Sequence, residues 1–417
     1  MRPPVLSRGT TPQLDALLFV VLGASVIQLL PLPRTVLQVI SPHAVAVARA
    51  FWLADPGGPL PISIDRAASQ AAVAVFAGAV LLFFTSRRIL DGGGVRTTVR
   101  MVAIAALVLS GLAIAQDATA RGLMYWRWAP VHEGSAPFGP FVNRNHFATW
   151  GVMAAPLCAG YLIAHASAHP GPSKTASWRH WLVTAFDARA ALLLAAAAIL
   201  IVAIAASLSR SGLVGLGAAL AFGGWLARRR TDAAPRRSAR PAILVGALGI
   251  AALFAVLTQV GAAAIADRFS RSGVALADRL VIWHDTIPVL RDFWLTGTGA
   301  GTFQSSMAIY QRSRPGVIFN QAHNHYLQVA AEGGLLVGVP VLLALIVFTR
   351  AAWRRLEADR SGMYWIRGGA AAGLAGATVQ SLLETGLALP ANAALLAVLA
   401  AIVVHVPRAH AGQVHIG

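Results

Sequence analysis

Cysteine, lysine and acidic side chains are all scarce in this sequence of 417 residues. The single cysteine, Cys158, excludes an intramolecular disulfide and a cysteine-based metal site. Charged residues account for 12% of the chain, against about 25% in soluble globular proteins. Hydrophobic residues account for 57%. This composition excludes an ordinary cytosolic domain, a disordered chain and a disulfide scaffold, and it predicts a membrane protein with several spans.

The positive charge of the chain is carried almost entirely by arginine. Lysine and arginine together number 34 against 16 acidic residues, which gives a formal net charge of +18, and Lys174 is the only lysine. Lysine would satisfy the positive-inside rule equally well, whereas the planar guanidinium of arginine also binds phosphate through paired hydrogen bonds. The arginine excess therefore favours a phosphorylated ligand, although a GC-rich genome produces the same bias.

Ten segments are apolar over a length that crosses a hydrocarbon core of about 30 Å. They lie near residues 14–31, 67–86, 99–116, 146–165, 189–207, 211–227, 241–261, 326–349, 364–383 and 391–406. The stretch 32–54 is either an eleventh span or an amphipathic surface helix, because Arg34, His43 and Arg49 interrupt its apolar pattern. The sequence thus predicts an all-α, polytopic inner-membrane helical bundle with 10–12 transmembrane helices.

The distribution of arginine predicts the orientation of this bundle. By the positive-inside rule, the arginine-rich loops near 87–100, 228–240 and 350–360 are cytoplasmic, as are both termini. The loops 31–66, 117–145 and 262–322 then face the periplasm. We accordingly divide the chain into an N-terminal transmembrane bundle, a large helical periplasmic loop, and C-terminal transmembrane helices with a short cytoplasmic tail, at residues 1–260, 261–322 and 323–417.

The large periplasmic loop carries arginines that the topology does not require. They are Arg268, Arg271, Arg279, Arg291, Arg312 and Arg314. Either an anionic ligand binds there, or these arginines pair with aspartates on the faces of amphipathic helices, namely Asp267, Asp278, Asp285 and Asp292.

Residues 264–271 and 277–291 of this loop have helical patterns. The second segment has an apolar stripe at Leu280, Trp283, Ile287 and Leu290. The sequence TGTGAGT at 296–302 breaks the pattern and predicts a loop. It neither follows a strand nor contains lysine, which excludes a nucleotide-binding phosphate loop.

Three groups of polar residues stand at the periplasmic ends of predicted spans, where polar groups are costly and usually functional. The groups are Asn143, Arg144, Asn145 and His146; Ser207, Ser209, Arg210 and Ser211; and Gln321, His323, Asn324, His325, Tyr326 and Gln328. Because all three lie on the same predicted side, a single site can recruit them. The alternative is that the third group is a helix-entry hydrogen-bond network with an interfacial tyrosine, and that Arg210 snorkels at the interface.

In the third group, Asn324, Gln328 and Glu332 are spaced to share one helix face, which must turn toward protein or a wet cavity. His323 and His325 point to different faces of a helix, and no nearby carboxylate completes a metal site. We therefore expect no catalytic metal and no cofactor.

Five segments, in order, resemble motifs of the O-antigen ligase family. They are FVNRNHFA (141–148), SLSRSGLVGL (207–216), DRLVIWHDTIPVLRDFWLTGTGAGTF (278–303), AHNHYLQVAAEGGLLVG (322–338) and QSLLETGLALPANA (380–393). The resemblance implies a GT-C-like glycosyltransferase that moves a glycan from undecaprenyl pyrophosphate to a sugar of the lipid A core at the periplasmic face of the inner membrane. It implies a lipid-linked glycan, a lipid A core acceptor and membrane lipid as partners, and no nucleic acid.

The resemblance also implies roles for individual residues. The family's two essential arginines map to Arg210 and Arg279, and its essential histidine maps to His323. We expect these three to be catalytic: the arginines stabilise charge on the leaving pyrophosphate, and the histidine activates the acceptor hydroxyl for one inverting displacement. The predicted substrate-binding residues are Arg144, His146, Asn324, His325, Tyr326, Gln328, Arg312 and Arg314.

The sequence is also compatible with three other functions. An O-antigen polymerase shares the donor but adds the glycan to another repeat unit, and a protein O-oligosaccharyltransferase transfers it to serine or threonine. A lipid-linked oligosaccharide transporter would have internal repeats and polar residues on both sides of the membrane. This sequence shows no repeat and its polar groups crowd one side, which weighs against transport.

Overall fold

The computed structural model describes residues 11–51, 57–130, 136–168, 187–232, 272–314 and 316–406. These residues form thirteen α-helices and no strand, which confirms the all-α prediction. In chain order the helices are α1 Pro12–Ile27, α2 Arg34–Ile40, α3 Pro42–Phe51, α4 Arg66–Asp91, α5 Val95–Thr119, α6 Arg144–Ala168, α7 Ala188–Ala206, α8 Arg210–Asp232, α9 Ser272–Asp292, α10 Phe303–Tyr310, α11 His325–Ala358, α12 Met363–Gln380 and α13 Pro390–Val404.

Each predicted span corresponds to one of these helices, except 241–261, which lies outside the described residues. By length and composition, α4, α5, α6, α7 and α11 can cross a membrane, and α1 and α13 are shorter apolar helices. The stretch 32–54 contains the separate helices α2 and α3, of 7 and 10 residues. Neither is long enough to cross the hydrocarbon core, so the eleventh-span alternative is wrong for this stretch.

The centre of the bundle is α6, packed against α12, α7 and α8. Glycines allow α12 to approach it closely. A Cβ atom on Gly369 would lie 2.3 Å from the carbonyl oxygen of Pro156, and one on Gly373 would lie 2.5 Å from that of Met153. Small residues four apart are the usual means of bringing two membrane helices into backbone contact.

A break in α11 at Gly334 (φ 53°) receives the loop that follows α9. The N–H groups of Leu335 and Leu336, which the break frees, donate to the carbonyls of Trp294 and Leu295 at 2.9 Å. In return, the N–H groups of residues 298 and 299 donate to the carbonyls of residues 331 and 332. The predicted loop at 296–302 is therefore confirmed, and its backbone hydrogen bonds stabilise the break in α11.

The predicted helix at 277–291 is confirmed as part of α9, whereas 264–271 lies outside the described residues. Within the apolar stripe of α9, Leu280 and Ile287 are exposed, whereas Ile282 and Val289 of the same helix are buried, as is Phe293 just after it. Asp285 is also buried, and its carboxylate accepts backbone hydrogen bonds from Arg312 and Ser313.

Candidate active site

The three predicted polar groups meet around one buried carboxylate, that of Glu384. Its Oε2 accepts a hydrogen bond from Nδ2 of Asn145 at 2.6 Å, and its Oε1 lies 3.2 Å from Nδ1 of His323. The Oγ of Ser209 donates to Oδ1 of Asn145 at 2.8 Å. Nε2 of His146 lies 3.8 Å from Oε1 of Glu384. One member of each group thus joins a continuous network.

Glu384 lies in the turn between α12 and α13, and only 1% of its side chain is exposed. Burial raises the pKa of this carboxyl, but the hydrogen bond and positive charge of His323, with the charge of His146 and the N–H of Thr385, outweigh burial and lower the pKa to about 2. Glu384 is therefore an anion at neutral pH. A buried anion of this kind can fix the tautomer and orientation of a histidine.

His323 lies just before α11 with a positive φ of 48°, a backbone conformation uncommon for residues other than glycine. The preceding carbonyl, of Ala322, accepts a hydrogen bond from Nε1 of Trp283 at 2.9 Å, which ties this segment to α9. With Nδ1 directed at Glu384, the Nε2 atom of the ring is the one available to a substrate. His325 differs, because within the described residues its buried Nδ1 makes no hydrogen bond.

Arg210 and Arg279 reach the same region. Arg210 begins α8 after a turn at 207–209, and Ser209 caps the helix by accepting from the N–H of Gly212 at 3.1 Å. Burial lowers the pKa of Arg279, Glu384 raises it, and Arg210 lowers it, so all three groups lie within electrostatic range. The buried Nε of Arg279 has no hydrogen-bond partner among the described residues. Two like charges and an unsatisfied donor together favour an anionic ligand here.

The polar residues Asn324, Gln328 and Glu332, at and after the start of α11, make no hydrogen bond to Glu384. Asn324 caps the helix by accepting from the N–H of Leu327. Gln328 accepts from the N–H of Ala322 and donates to Glu332 at 3.0 Å. Glu332 in turn accepts from the N–H groups of Gly301 and Phe303. The predicted shared face is therefore present, but it faces the loop at 296–303 rather than Glu384.

The remaining predicted substrate-binding residues are dispersed. Arg144 begins α6 beside the cluster and lies within electrostatic range of Asp117. Tyr326 donates its hydroxyl proton to the carbonyl of Thr378 at 2.8 Å. Arg314 pairs with Asp278, as the alternative of internal ion pairs expects, and Arg312 is exposed with its guanidinium on the carbonyl of Ile309.

Glu384 is the residue that the sequence-based site prediction omitted. A signal was present, because it is the one acidic residue in the apolar segment 380–406, and ionisable residues in membrane proteins usually mark functional sites. Within the part of the chain that the structure describes, no group of three or more histidine, cysteine, aspartate or glutamate side chains is arranged to hold a metal ion.

Residues 195–342 match the family model described as O-antigen ligase. This segment of the chain is similar to the O-antigen ligase family. It extends from α7 into α11 and includes Arg210, Arg279 and His323. Glu384, His146 and Asn145 lie outside the matched residues, so the site combines the matched segment with the helices that flank it. A comparison with the curated proteins found no match.

Proposed function

We propose that this membrane protein is an O-antigen ligase, which moves O-antigen polysaccharide from undecaprenyl pyrophosphate to a sugar hydroxyl of the lipid A core and so completes lipopolysaccharide. The match to the family model supports the ligase and polymerase superfamily. The observation that carries the proposal is the placement of a histidine on a buried carboxylate beside two arginines. This set supplies a base for the acceptor and positive charge for the leaving group.

The chemistry follows from these groups. Nε2 of His323 takes the proton of the acceptor hydroxyl as its oxygen bonds to the anomeric carbon, while the bond from that carbon to the pyrophosphate oxygen breaks. Glu384, held anionic, stabilises the imidazolium that forms. Arg210 and Arg279 hydrogen-bond the oxygens on which negative charge develops. A single displacement inverts the anomeric carbon and needs no second carboxylate pair.

The nearest competing function is O-antigen polymerase, because the donor and leaving group are the same and the acceptor alone differs. A deletion strain separates the two. Loss of a ligase leaves polymerised glycan on the lipid carrier, and the lipopolysaccharide lacks O-antigen. Loss of a polymerase leaves single repeat units on the lipid carrier and on the lipid A core. Accumulation of polymerised carrier-linked glycan is the result we expect, and single repeats on lipid A core would contradict the proposal.

Replacement of either arginine by lysine is expected to keep the positive charge and to lower the turnover by about 10-fold or more. The cause is the loss of the planar guanidinium, which holds two pyrophosphate oxygens at once. The variants are Arg210→Lys and Arg279→Lys, and the measurement is the rate of glycan transfer by the purified protein. Arg100→Lys, on α5 at the far end of the bundle, is the control and should transfer at the normal rate. Normal rates in all three variants would show that Arg210 and Arg279 do not stabilise the leaving pyrophosphate.

Transfer is expected to proceed in excess EDTA, because two guanidinium groups supply the positive charge that a divalent cation supplies in many glycosyltransferases. The measurement is glycan transfer by purified protein with and without the chelator. A loss that magnesium or manganese restores would contradict metal independence.

The site end of the bundle is expected to face the periplasm. Cysteine introduced at the exposed Asn320, near His323, should react with an impermeant thiol reagent in intact cells, whereas cysteine at the exposed Ser361, between α11 and α12, should react after lysis alone. The native Cys158 is buried and provides a low background. Labelling of the Ser361→Cys variant in intact cells would overturn this orientation.

A further inference from the structure

A cleft of about 380 Å³ opens at the end of the bundle opposite Glu384. It is lined by the last turns of α8 and α11 and by the start of α12. Arg210 begins α8 at the active-site end, and Arg229 lies in the last turns of the same helix. At 1.5 Å per helical residue, the two positions are about 28 Å apart. The cleft is therefore separate from the candidate active site.

Arg229 is held in this cleft by aromatic contacts. Its guanidinium carbon lies 4.6 Å from the ring centroid of Trp225 and 4.9 Å from that of Trp353, and the two indoles stack at 5.5 Å. A cation–π contact does not use up the N–H donors of a guanidinium, which can therefore bind an anion. The two rings hold the cation at this end of the cleft.

Arg230 organises the opposite wall. Its guanidinium lies 4.8 Å over the ring of Tyr364 and donates to the carbonyls of Asp359 at 3.1 Å and Arg360 at 2.7 Å. These bonds fix the turn between α11 and α12 that carries Arg360. The charged side chains lining the cleft are Arg229, Arg230 and Arg360 against Glu357, so positive charge dominates.

An apolar surface leads along α11 to the cleft. Leu342 and Ile346 are exposed, and with Trp353 they fall at i, i+4 and i+11, which places them on one helix face. Leu226 and Leu356 add apolar atoms to the lining. A ligand with an anionic head and an apolar tail would satisfy both surfaces at once, whereas free phosphate would use the arginines alone.

We propose that this cleft binds the phosphodiester headgroup of an anionic phospholipid, with an acyl chain along the exposed face of α11. Basic clefts between membrane helices are suited to such headgroups, since arginine holds phosphate oxygens through charge-assisted hydrogen bonds. The binding is independent of the glycosyl transfer proposed above, because it uses residues at the other end of the bundle.

The test is a titration of the delipidated full-length protein in neutral detergent, followed by its thermal unfolding midpoint. The ligands are phosphatidylglycerol, phosphatidylcholine and inorganic phosphate. Phosphatidylglycerol alone should raise the midpoint. Arg229→Gln/Arg360→Gln should weaken its apparent affinity by about 5-fold or more, the scale expected for a basic residue near an anionic lipid. The control Arg96→Gln/Arg100→Gln removes the same charge from α5 at the same end of the bundle, and should bind normally.

Equal weakening in the two double variants would show that general surface charge binds the lipid and would overturn the site. An equal midpoint shift with inorganic phosphate would overturn the lipid assignment. Native mass spectrometry of the single variant Arg360→Gln, whose side chain is exposed, provides a second measurement that does not depend on the double variant folding. The unmodified protein should carry bound phosphatidylglycerol, and a spectrum without it contradicts the proposal. Loss of that lipid from the variant supports the cleft, and its retention contradicts it.

Discussion

Replacement of His323 by alanine is expected to lower the turnover of glycan transfer by on the order of 10²-fold or more, the usual contribution of a general base. The ring is fixed by the contact of its Nδ1 with Glu384 at 3.2 Å, and its Nε2 is the atom that we propose as the proton acceptor. Alanine leaves no proton acceptor at this position. The measurement is the transfer rate of the purified variant at saturating donor and acceptor.

His325→Ala is the matched control, because it removes the same side chain two residues away. The His325 ring has no hydrogen bond to Glu384, so this variant should keep substantial activity. Unchanged thermal unfolding of both variants shows that the comparison concerns chemistry. Activity that survives in the His323 variant removes its assignment as the base.

Replacement of Glu384 by glutamine is expected to lower kcat by about 10²-fold with little change in KM. The carboxylate accepts from Asn145 and Thr385 and contacts Nδ1 of His323. Glutamine has one acceptor oxygen instead of two, and its amide donates. An amide proton directed at Nδ1 would select the tautomer with hydrogen on Nε2, which cannot accept the hydroxyl proton. The measurement is a full kinetic comparison with the unmodified protein.

A double variant distinguishes positioning from a purely structural role. If Glu384 acts through His323, His323→Ala/Glu384→Gln should be no slower than His323→Ala alone, because residues that act as a unit are strongly non-additive. Multiplied losses in the double variant would show that Glu384 does not act through His323. A normal kcat with a lowered unfolding midpoint in Glu384→Gln would mean that the carboxylate only supports the fold.

The bundle itself was predictable from the sequence because its signals are local. Apolar length defined the spans that correspond to α1, α4 to α8 and α11 to α13, and the glycines of 296–302 marked the loop that packs against the break in α11. The residues that converge were also predictable as groups, since Asn145, Ser209 and His323 all stand at ends of spans on one predicted side.

The features of the site and fold that the sequence did not predict depend on tertiary contacts, which no local pattern encodes. Glu384 is a single acidic residue in a turn, and its importance arises from histidines on α6 and before α11. The burial of Asp285 on α9 has a similar cause. Its carboxylate accepts from the N–H groups of residues 312 and 313, which a hydrophobic stripe alone does not anticipate. The part of α11 that carries Gln328 likewise faces the loop rather than the site, because Glu332 binds that loop.

The most direct measurement is glycan transfer by the purified full-length chain, supplied with undecaprenyl-pyrophosphate-linked O-antigen and lipid A core in the same reaction. We expect that glycan appears on the lipid A core, that one undecaprenyl pyrophosphate is released for each glycan transferred, and that His323→Ala abolishes both products. Glycan added to another carrier-linked repeat unit while the lipid A core stays unmodified would contradict the proposed ligase function.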